Sequence, residues 1–414
     1  MFFVKRALAL WLGLFFYFCI YSQEQENSIP VSGEVSAAIG TLLVEDGGAS
    51  FYWQNGLTLD FGQNFFGGIE LGHVYSNMSW LNVSIFGFMG QFGIDTPRGG
   101  FNLTSGFFAH PAANASAGNF SLSFYGGNGF FLSLDTPLRY APLSITPHFF
   151  YGNAGWDDGD MYWFFGKPKI PFLFAYGIDI GFDQQDYHKH SLGFRNVITD
   201  VKIVSNKNES LFDAALDAFL LMYQFSLERA DISFSGTVGW LYAGASLDGA
   251  LTSSNQPYFL FPFQFFDISA SYNAHAGLAL FRFRDSRRII RYSLDLGAMH
   301  ILYDQGKADT HFRMKNLFGG KEDFGSEDLD ISGLGAAFLL LEAGLHPLSV
   351  GKNKQGQLSL SLQKAFVIPW GYNKLFSPGG GTSLPETSPS SWDPGSLIKT
   401  ILLSGISIKG FLTF

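Results

Sequence analysis

The feature that most constrains this chain is a period of two. In RADISFSGTVGWLYAG, Ile232, Phe234, Gly236, Val238 and Trp240 alternate with Ser233, Ser235, Thr237 and Gly239. In QLSLSLQKAF, Leu358, Leu360 and Leu362 alternate with Ser359, Ser361 and Gln363. NVSIFGFMGQFG and NFSLSFYGGNGFFLSL behave in the same way. Successive side chains of a strand point to opposite sides, so each window predicts a strand with one dry and one wet face. Beyond Tyr21 no apolar run approaches the ~18 residues that a spanning helix needs.

Composition decides what the dry faces meet. Charged residues make up 15% of the chain and aromatic residues 17%, against about 25% charged in ordinary soluble domains. A soluble β-sandwich needs two polar outer faces, which these windows do not supply. A closed sheet in lipid needs none, because every backbone polar group is satisfied by a neighbouring strand. The expected fold is therefore all-β, a transmembrane antiparallel β-barrel. The net charge of −9 excludes the basic surface that nucleic-acid binding requires.

The chain opens with MFFVKRALALWLGLFFYFCIYSQEQ, in which Lys5 and Arg6 precede an apolar run from Ala7 to Tyr21 and a small Ser22. These three regions predict a secretory signal peptide over 1–22 and a barrel over 23–414. The rival reading, an anchoring helix, has too short a run. Cys19 is the only cysteine, and bulky Phe16, Tyr17 and Phe18 stand where a lipid-modified cysteine needs small residues. Losing it with the leader leaves no disulfide and no thiol chemistry. At the other end, in ISIKGFLTF, Ile406, Ile408, Gly410, Leu412 and Phe414 again share one face, and only Phe411 breaks the pattern.

A strand crosses a bilayer in roughly 10 residues, so this length suits about 14 to 18 strands, and we favour about 16. Long and short connections alternate from the C-terminus backwards. Pro369 to Ser396 is long and external, GKNKQG short and periplasmic, Asp304 to Asp328 long, and Asp285-Ser286-Arg287-Arg288 short. Upstream the alternation fails. Leu247 to Pro257 is too long for the periplasmic turn the count places there, unless Asn273-Ala274-His275 is not a turn. Gly126-Gly127-Asn128-Gly129 reads as a tight hairpin turn. LFDAALDAFLLM, Leu211 to Met222, is ambiguous and suits a short helix, inside the lumen. Pro137, Pro142 and Pro147 argue for a loop, external or folded into the pore. Trp80, Phe92, Phe101, Trp240 and Trp370 sit at strand ends, as interfacial aromatic girdles would.

Taken together, the leader, the period-two strands, the loop and turn alternation and the last strand resemble bacterial outer-membrane β-barrel proteins. The resemblance implies an outer-membrane location and lipid neighbours. It also implies that Ile406, Ile408, Leu412 and Phe414 form the signal read by the barrel assembly machinery, with Gly410 smaller than is usual there. It is generic and points to no subfamily.

Within LALFRFRDSRRIIRYSLDLGAMH, Phe281 and Phe283 would face lipid and Arg282 and Arg284 the lumen. On the partner strand Arg291, Ser293 and Asp295 share one face, opposite Tyr292, Leu294 and Leu296. A charge at mid-depth on the lipid face costs about 2–4 kcal/mol, so Arg282, Arg284, Arg291 and Asp295 are the candidate pore-lining residues. The competing reading is that Arg287, Arg288 and their neighbours anchor the periplasmic rim. In DQQDYHKH, Asp186, His188 and His190 would share one strand face, a weak candidate metal or catalytic site in a stretch that also reads as a solvated loop. WDDGDMY, with Asp157, Asp158 and Asp160, lacks calcium-loop spacing. No nucleophile, phosphate-loop or zinc motif stands out, so neither an enzyme nor a cofactor is expected. The expected function is passive diffusion of small solutes, in a monomer or homo-oligomer. One alternative is a channel for hydrophobic molecules similar to the long-chain fatty-acid transporters, which FLFPFQFF would suit, although strands starting near Val31 leave no room for their N-terminal plug. The other is an adhesin or structural barrel acting through external loops.

Overall fold

The computed structural model describes residues 31–44, 48–62, 64–77, 81–117, 120–156, 158–159, 166–185, 188–205, 209–229, 231–252, 263–287, 290–314, 321–329, 333–345, 348–350, 356–370 and 401–413. Strands β1 (Val31–Val44), β2 (Gly48–Phe61), β3 (Phe65–Asn77), β4 (Leu81–Thr96), β5 (Gly99–Ala117) and β6 (Phe120–Asp135) follow one another as antiparallel hairpins. Next come the short β7 (Leu138–Tyr140), β8 (Leu143–Gly155), the short β9 (Asp158–Gly159) and β10 (Lys167–Gln185). They are followed by β11 (His188–Val204), β12 (Ser210–Arg229), β13 (Ile232–Thr252), β14 (Phe263–Asp285) and β15 (Ile290–Met314). The chain continues through β16 (Lys321–Leu329), β17 (Gly335–Leu345), the short β18 (Leu348–Val350), β19 (Gly356–Trp370) and β20 (Ile401–Thr413). Leaving out β7, β9, β16 and β18, sixteen strands form one closed antiparallel barrel. It closes where β1 pairs with both β2 and β20: Ile39 lies opposite Trp53 on one side and Ile408 on the other.

The alternation read in the sequence becomes an outer and an inner wall. Ile39, Val238, Phe281, Leu360, Leu362, Ile406, Ile408 and Leu412 are all exposed on the outside. A water-soluble fold would bury such a surface; here nothing but lipid can cover it. Outward-facing rings make a nearly continuous belt from β8 to β15. Ring centroids lie 5.0 Å apart for Phe149–Phe174, 5.8 Å for Phe174–Tyr176, 6.4 Å for Tyr176–Phe194 and 4.7 Å for Phe194–Phe219. The belt continues through Phe219–Trp240 at 5.7 Å, Trp240–His275 at 5.4 Å and His275–Tyr303 at 5.9 Å. Past it the outer wall turns polar: Asn196 donates to Asp217 (3.0 Å), Lys202 pairs with Asp213 (3.2 Å) and Ser269 donates to Asp248 (2.7 Å). A lower set, Phe225–Phe234 and Phe92–Phe101, lies toward the opposite end. Trp240 belongs to the belt, the Trp370 indole N–H donates to His300 Nδ1 at 3.1 Å, and Trp80 lies outside the described residues.

Several expectations are corrected. Gly126 to Gly129 make no turn and lie inside β6. Cross-strand rings occupy the space a Cβ would fill: Gly127 sits opposite His110 and Gly129 opposite Phe108, whose atoms come within 2.2 Å of the site of an added Cβ. Leu211 to Met222 form no helix and belong to β12. The apolar spacing there imitates a helix because Asp213 and Asp217 face outward above the aromatic belt, where Lys202 and Asn196 satisfy them. Asn273 to His275 lie inside β14, opposite a bulge of β15 at Leu302. Removing that turn puts the long connection 253–262 at the same end as 371–400, and the alternation of connections is restored. The proline segment is neither an external loop nor folded into the pore. Pro147 is within β8, and β7 is fastened at the short-turn end by Gly100 N–H to Pro137 O (2.8 Å), Arg139 N–H to Arg98 O (2.9 Å) and the Arg139–Asp95 ion pair (2.5 Å). The connection after β15 is partly ordered: β15 runs on to Met314 and pairs there with β16.

Candidate functional site: the lumenal wall

Pairing register fixes which side chains face inward. Arg282 stands opposite Ser235 on one side and Asp295 on the other, and Arg284 opposite Ser233 and Ser293. Their neighbours Phe281 and Phe283 point outward and are exposed. On β15, Arg291, Ser293 and Asp295 face β17 at Gly344, Glu342 and Leu340. The four expected residues thus share the inner wall of two adjacent strands, but they are not equivalent. Arg282 is committed to Asp295: Nε donates to Oδ1 and Oδ2 at 3.0 Å each and Nη2 to Oδ2 at 2.8 Å. The Asp295 side chain is 10% exposed and that of Arg282 44%. Their charges cancel locally, so Arg282 contributes little net field.

Arg284 has no carboxylate partner among the described residues, and Arg291 donates through Nη2 only to the Leu345 carbonyl at 3.3 Å. Both arginines line a recess of about 720 Å³ with Lys409 of β20 and the hydroxyls of Ser233, Ser293, Ser359 and Ser361. Carboxylates line it as well, Glu228, Asp231, Asp285 and Glu342; Asp285 pairs with Arg287 at 2.6 Å, and Glu342 accepts from Ser293 Oγ at 3.4 Å. Sequence reasoning missed Lys409, although its place between Ile408 and Gly410 in the alternation marks it as inward.

Sequence reasoning also missed a second lumenal cluster. His148 of β8 lies between Asp135 of β6 and Asp179 of β10, with Nδ1 2.6 Å from Asp135 Oδ1 and Nε2 2.9 Å from Asp179 Oδ2. Arg195 of β11 closes on Asp179 through two bonds of 2.8 and 2.6 Å. Each member could have been found as a charged or titratable residue at an inward position of an apolar strand.

The weak metal candidate falls partly outside the described residues. Asp186 lies outside the described residues. His188 and His190 fall on the outer wall with exposed Leu192, and His190 Nδ1 is 2.7 Å from the Tyr223 hydroxyl. Among the described residues no three His, Cys, Asp or Glu side chains form a metal-binding group. Of WDDGDMY, Asp158 is in β9, and Asp157 and Asp160 are outside the described residues.

Large inward rings do not fill the lumen, because they lie flat on glycines of the neighbouring strand. Tyr52 covers Gly40, Phe66 Gly93, Phe131 Gly106 and Phe338 Gly297, in each case the directly opposed residue. An added Cβ on these glycines would come within 2.0–2.3 Å of the ring. Gly297→Val should therefore lift Phe338 off the wall into the lumen with stability little changed, because the ring end is free to swing; a melting temperature lowered by several degrees would show that the ring cannot move aside.

A closed sixteen-strand barrel with a lipid-facing outer wall and a polar, charged inner one leaves one location. The chain is a β-barrel of the outer membrane. No protein-family model matches it, and no curated protein matches it in sequence. Solved structures resemble it weakly. CdiB from Acinetobacter baumannii aligns over 92% of this chain with 10% identity and a TM-score of 0.46, and the barrel spans only 60% of that chain's length. The unliganded ferric citrate transporter FecA aligns over 94% of this chain and 79% of its own, with 10% identity and a TM-score of 0.38. The siderophore receptor PirA from Pseudomonas aeruginosa aligns over 94% and 81%, with 8% identity and a TM-score of 0.39. Likeness at this level does not extend to what the barrel carries.

Proposed function

We propose that the barrel is a channel for passive diffusion of small polar solutes, with selectivity set by Arg284, Arg291 and Lys409 rather than by Arg282. The observation that carries this reading is the serine-lined lumenal recess, in which these three cations stand without an ion-pair partner among the described residues while Arg282 is neutralised by Asp295. Barrels of 16–18 strands leave an aqueous channel, and unneutralised lumenal charges select among ions. Insertion through the assembly machinery, with Ile406, Ile408, Leu412 and Phe414 as its signal, belongs to the same reading. Phe414 lies outside the described residues; the other three face outward together.

The test is conductance of the refolded protein in a planar bilayer under a salt gradient. Arg284→Ala combined with Arg291→Ala should move the reversal potential toward cation preference, and Arg282→Ala combined with Asp295→Ala should leave it nearly unchanged. A folded barrel that never conducts would sink the proposal.

One observation favours a second reading, a path for hydrophobic molecules. Val74, Met299 and Phe338 are inward-facing yet exposed, and Leu220, Met222, Leu241 and Leu278 continue an apolar inner wall. Saturable binding of a fatty acid by a non-conducting barrel would favour it.

A further inference from the structure

The Asp135–His148–Asp179–Arg195 cluster is built, not incidental. Its members come from four consecutive barrel strands and meet diagonally: Asp135 is opposite His148, while Asp179 is one step along from Gly177, the residue opposite both His148 and Arg195. Two glycines clear the space. An added Cβ on Gly177 would lie 2.6 Å from Arg195 Cδ, and one on Gly193 would lie 2.6 Å from Asp179 Oδ1. All four side chains are between about a quarter and two-fifths exposed, so they are screened from bulk water but reachable from the lumen.

The geometry constrains the proton. A neutral imidazole has one donor and one acceptor nitrogen, and an ionised carboxylate only accepts. Here both ring nitrogens face carboxylate oxygens at hydrogen-bond distance. Both contacts are satisfied with the two carboxylates ionised only when His148 carries both protons. The cluster is then neutral, with two negative charges balanced by His148 and Arg195. Loss of one proton uncovers a net negative charge in the lumen and turns one contact into a lone pair facing a carboxylate.

We propose that this cluster is a proton-responsive selectivity element, which makes the lumen more cation-preferring as His148 gives up its proton. Histidine is the side chain whose charge change ordinarily falls between pH 5 and 8. The charged groups facing it are few. They are Asp135 from β6, Asp179 from β10, and Arg195 and Lys189 from β11; β8 itself offers only the hydroxyls of Ser144 and Thr146. Beyond them, a recess of about 510 Å³ links Asp179 and Lys189 to Gln224 and to Arg282, which Asp295 neutralises. His190 of β11 borders the same recess, with its Nδ1 2.7 Å from the Tyr223 hydroxyl on the outer wall, so the variant that tests the proposal is made at His148 itself.

The inference rests on the channel reading, and the test separates the two. Reversal potentials under a potassium chloride gradient are compared at pH 5 and pH 8 for wild type and His148→Gln. The wild-type cation-to-anion permeability ratio should rise roughly two- to fivefold between the two pH values, the scale of one unit charge near the ion path. In His148→Gln it should stay flat, near the wild-type value at pH 8. No rise in wild type, or an equal rise in the variant, overturns the proposal. Absence of conductance in both proteins overturns the channel reading and the selectivity role with it.

Discussion

Val238→Arg should destabilise the refolded barrel by about 2–4 kcal/mol, whereas Thr237→Arg, one residue away, should change stability by less than about 1 kcal/mol. Val238 is outward-facing and 42% exposed, between the ring of Phe234 below and that of Trp240 above. An arginine there has to desolvate in hydrocarbon or snorkel past one of the two girdles. Thr237 points the other way, opposite Gln224 and Leu280 on the inner wall, where water is available. Lys364 shows how the outer wall can accommodate a cation: its ammonium lies 5.5 Å from the Phe366 ring centroid. Urea titration in vesicles of fixed thickness measures both variants. Equal costs would mean that inner and outer walls have been assigned wrongly.

Arg282→Ala should cost about 1–3 kcal/mol, most of it restored in the double variant Arg282→Ala with Asp295→Ala. The asymmetry follows from what each change leaves behind. Removing Arg282 strips Asp295 of three charge-assisted hydrogen bonds while its carboxylate stays nearly buried. Removing both leaves no orphaned charge. The exposure of Arg282 to the lumen keeps the figure below that of a fully buried pair. A double-mutant cycle reads the coupling directly, and additive costs would show that the pair acts as two independent charges.

The inner and outer walls were legible in the sequence wherever a charge or serine interrupted apolar residues at every second position. Arg282, Arg284, Arg291 and Asp295 were placed in that way, and the pairing register puts them on the inner wall. Strand number followed from length and the cost of crossing a bilayer. Three local readings failed because a residue type served another purpose. Glycines at 126–129 looked like a turn and are seats for rings; aspartates in Leu211–Met222 looked like one face of a helix and mark the point where a strand leaves the lipid; prolines 137, 142 and 147 looked like a loop, and only the first two lie in one. The neutralisation of Arg282 and the His148 cluster were not legible because they depend on pairing register. In that cluster His148 is 13 residues from Asp135 and 31 from Asp179, and nothing in the sequence says which inward positions will be diagonal neighbours.

The rings lying on glycines bear on how a barrel of this kind finds its register. A strand shifted by one residue turns its apolar side to water, and the error is costly. A strand shifted by two keeps every side chain on its proper side, so alternation is blind to it. The ring seats are not. Shifted by two, Tyr52 would face Ala38 or Leu42 in place of Gly40, Phe66 would face Gln91 or Asp95 in place of Gly93, and Phe338 would face Asp295 or Met299 in place of Gly297. Each of those residues carries a Cβ where the ring must lie. Glycine and aromatic residues together therefore act as a vernier on the folding sheet, distinguishing registers that the inside–outside pattern leaves degenerate.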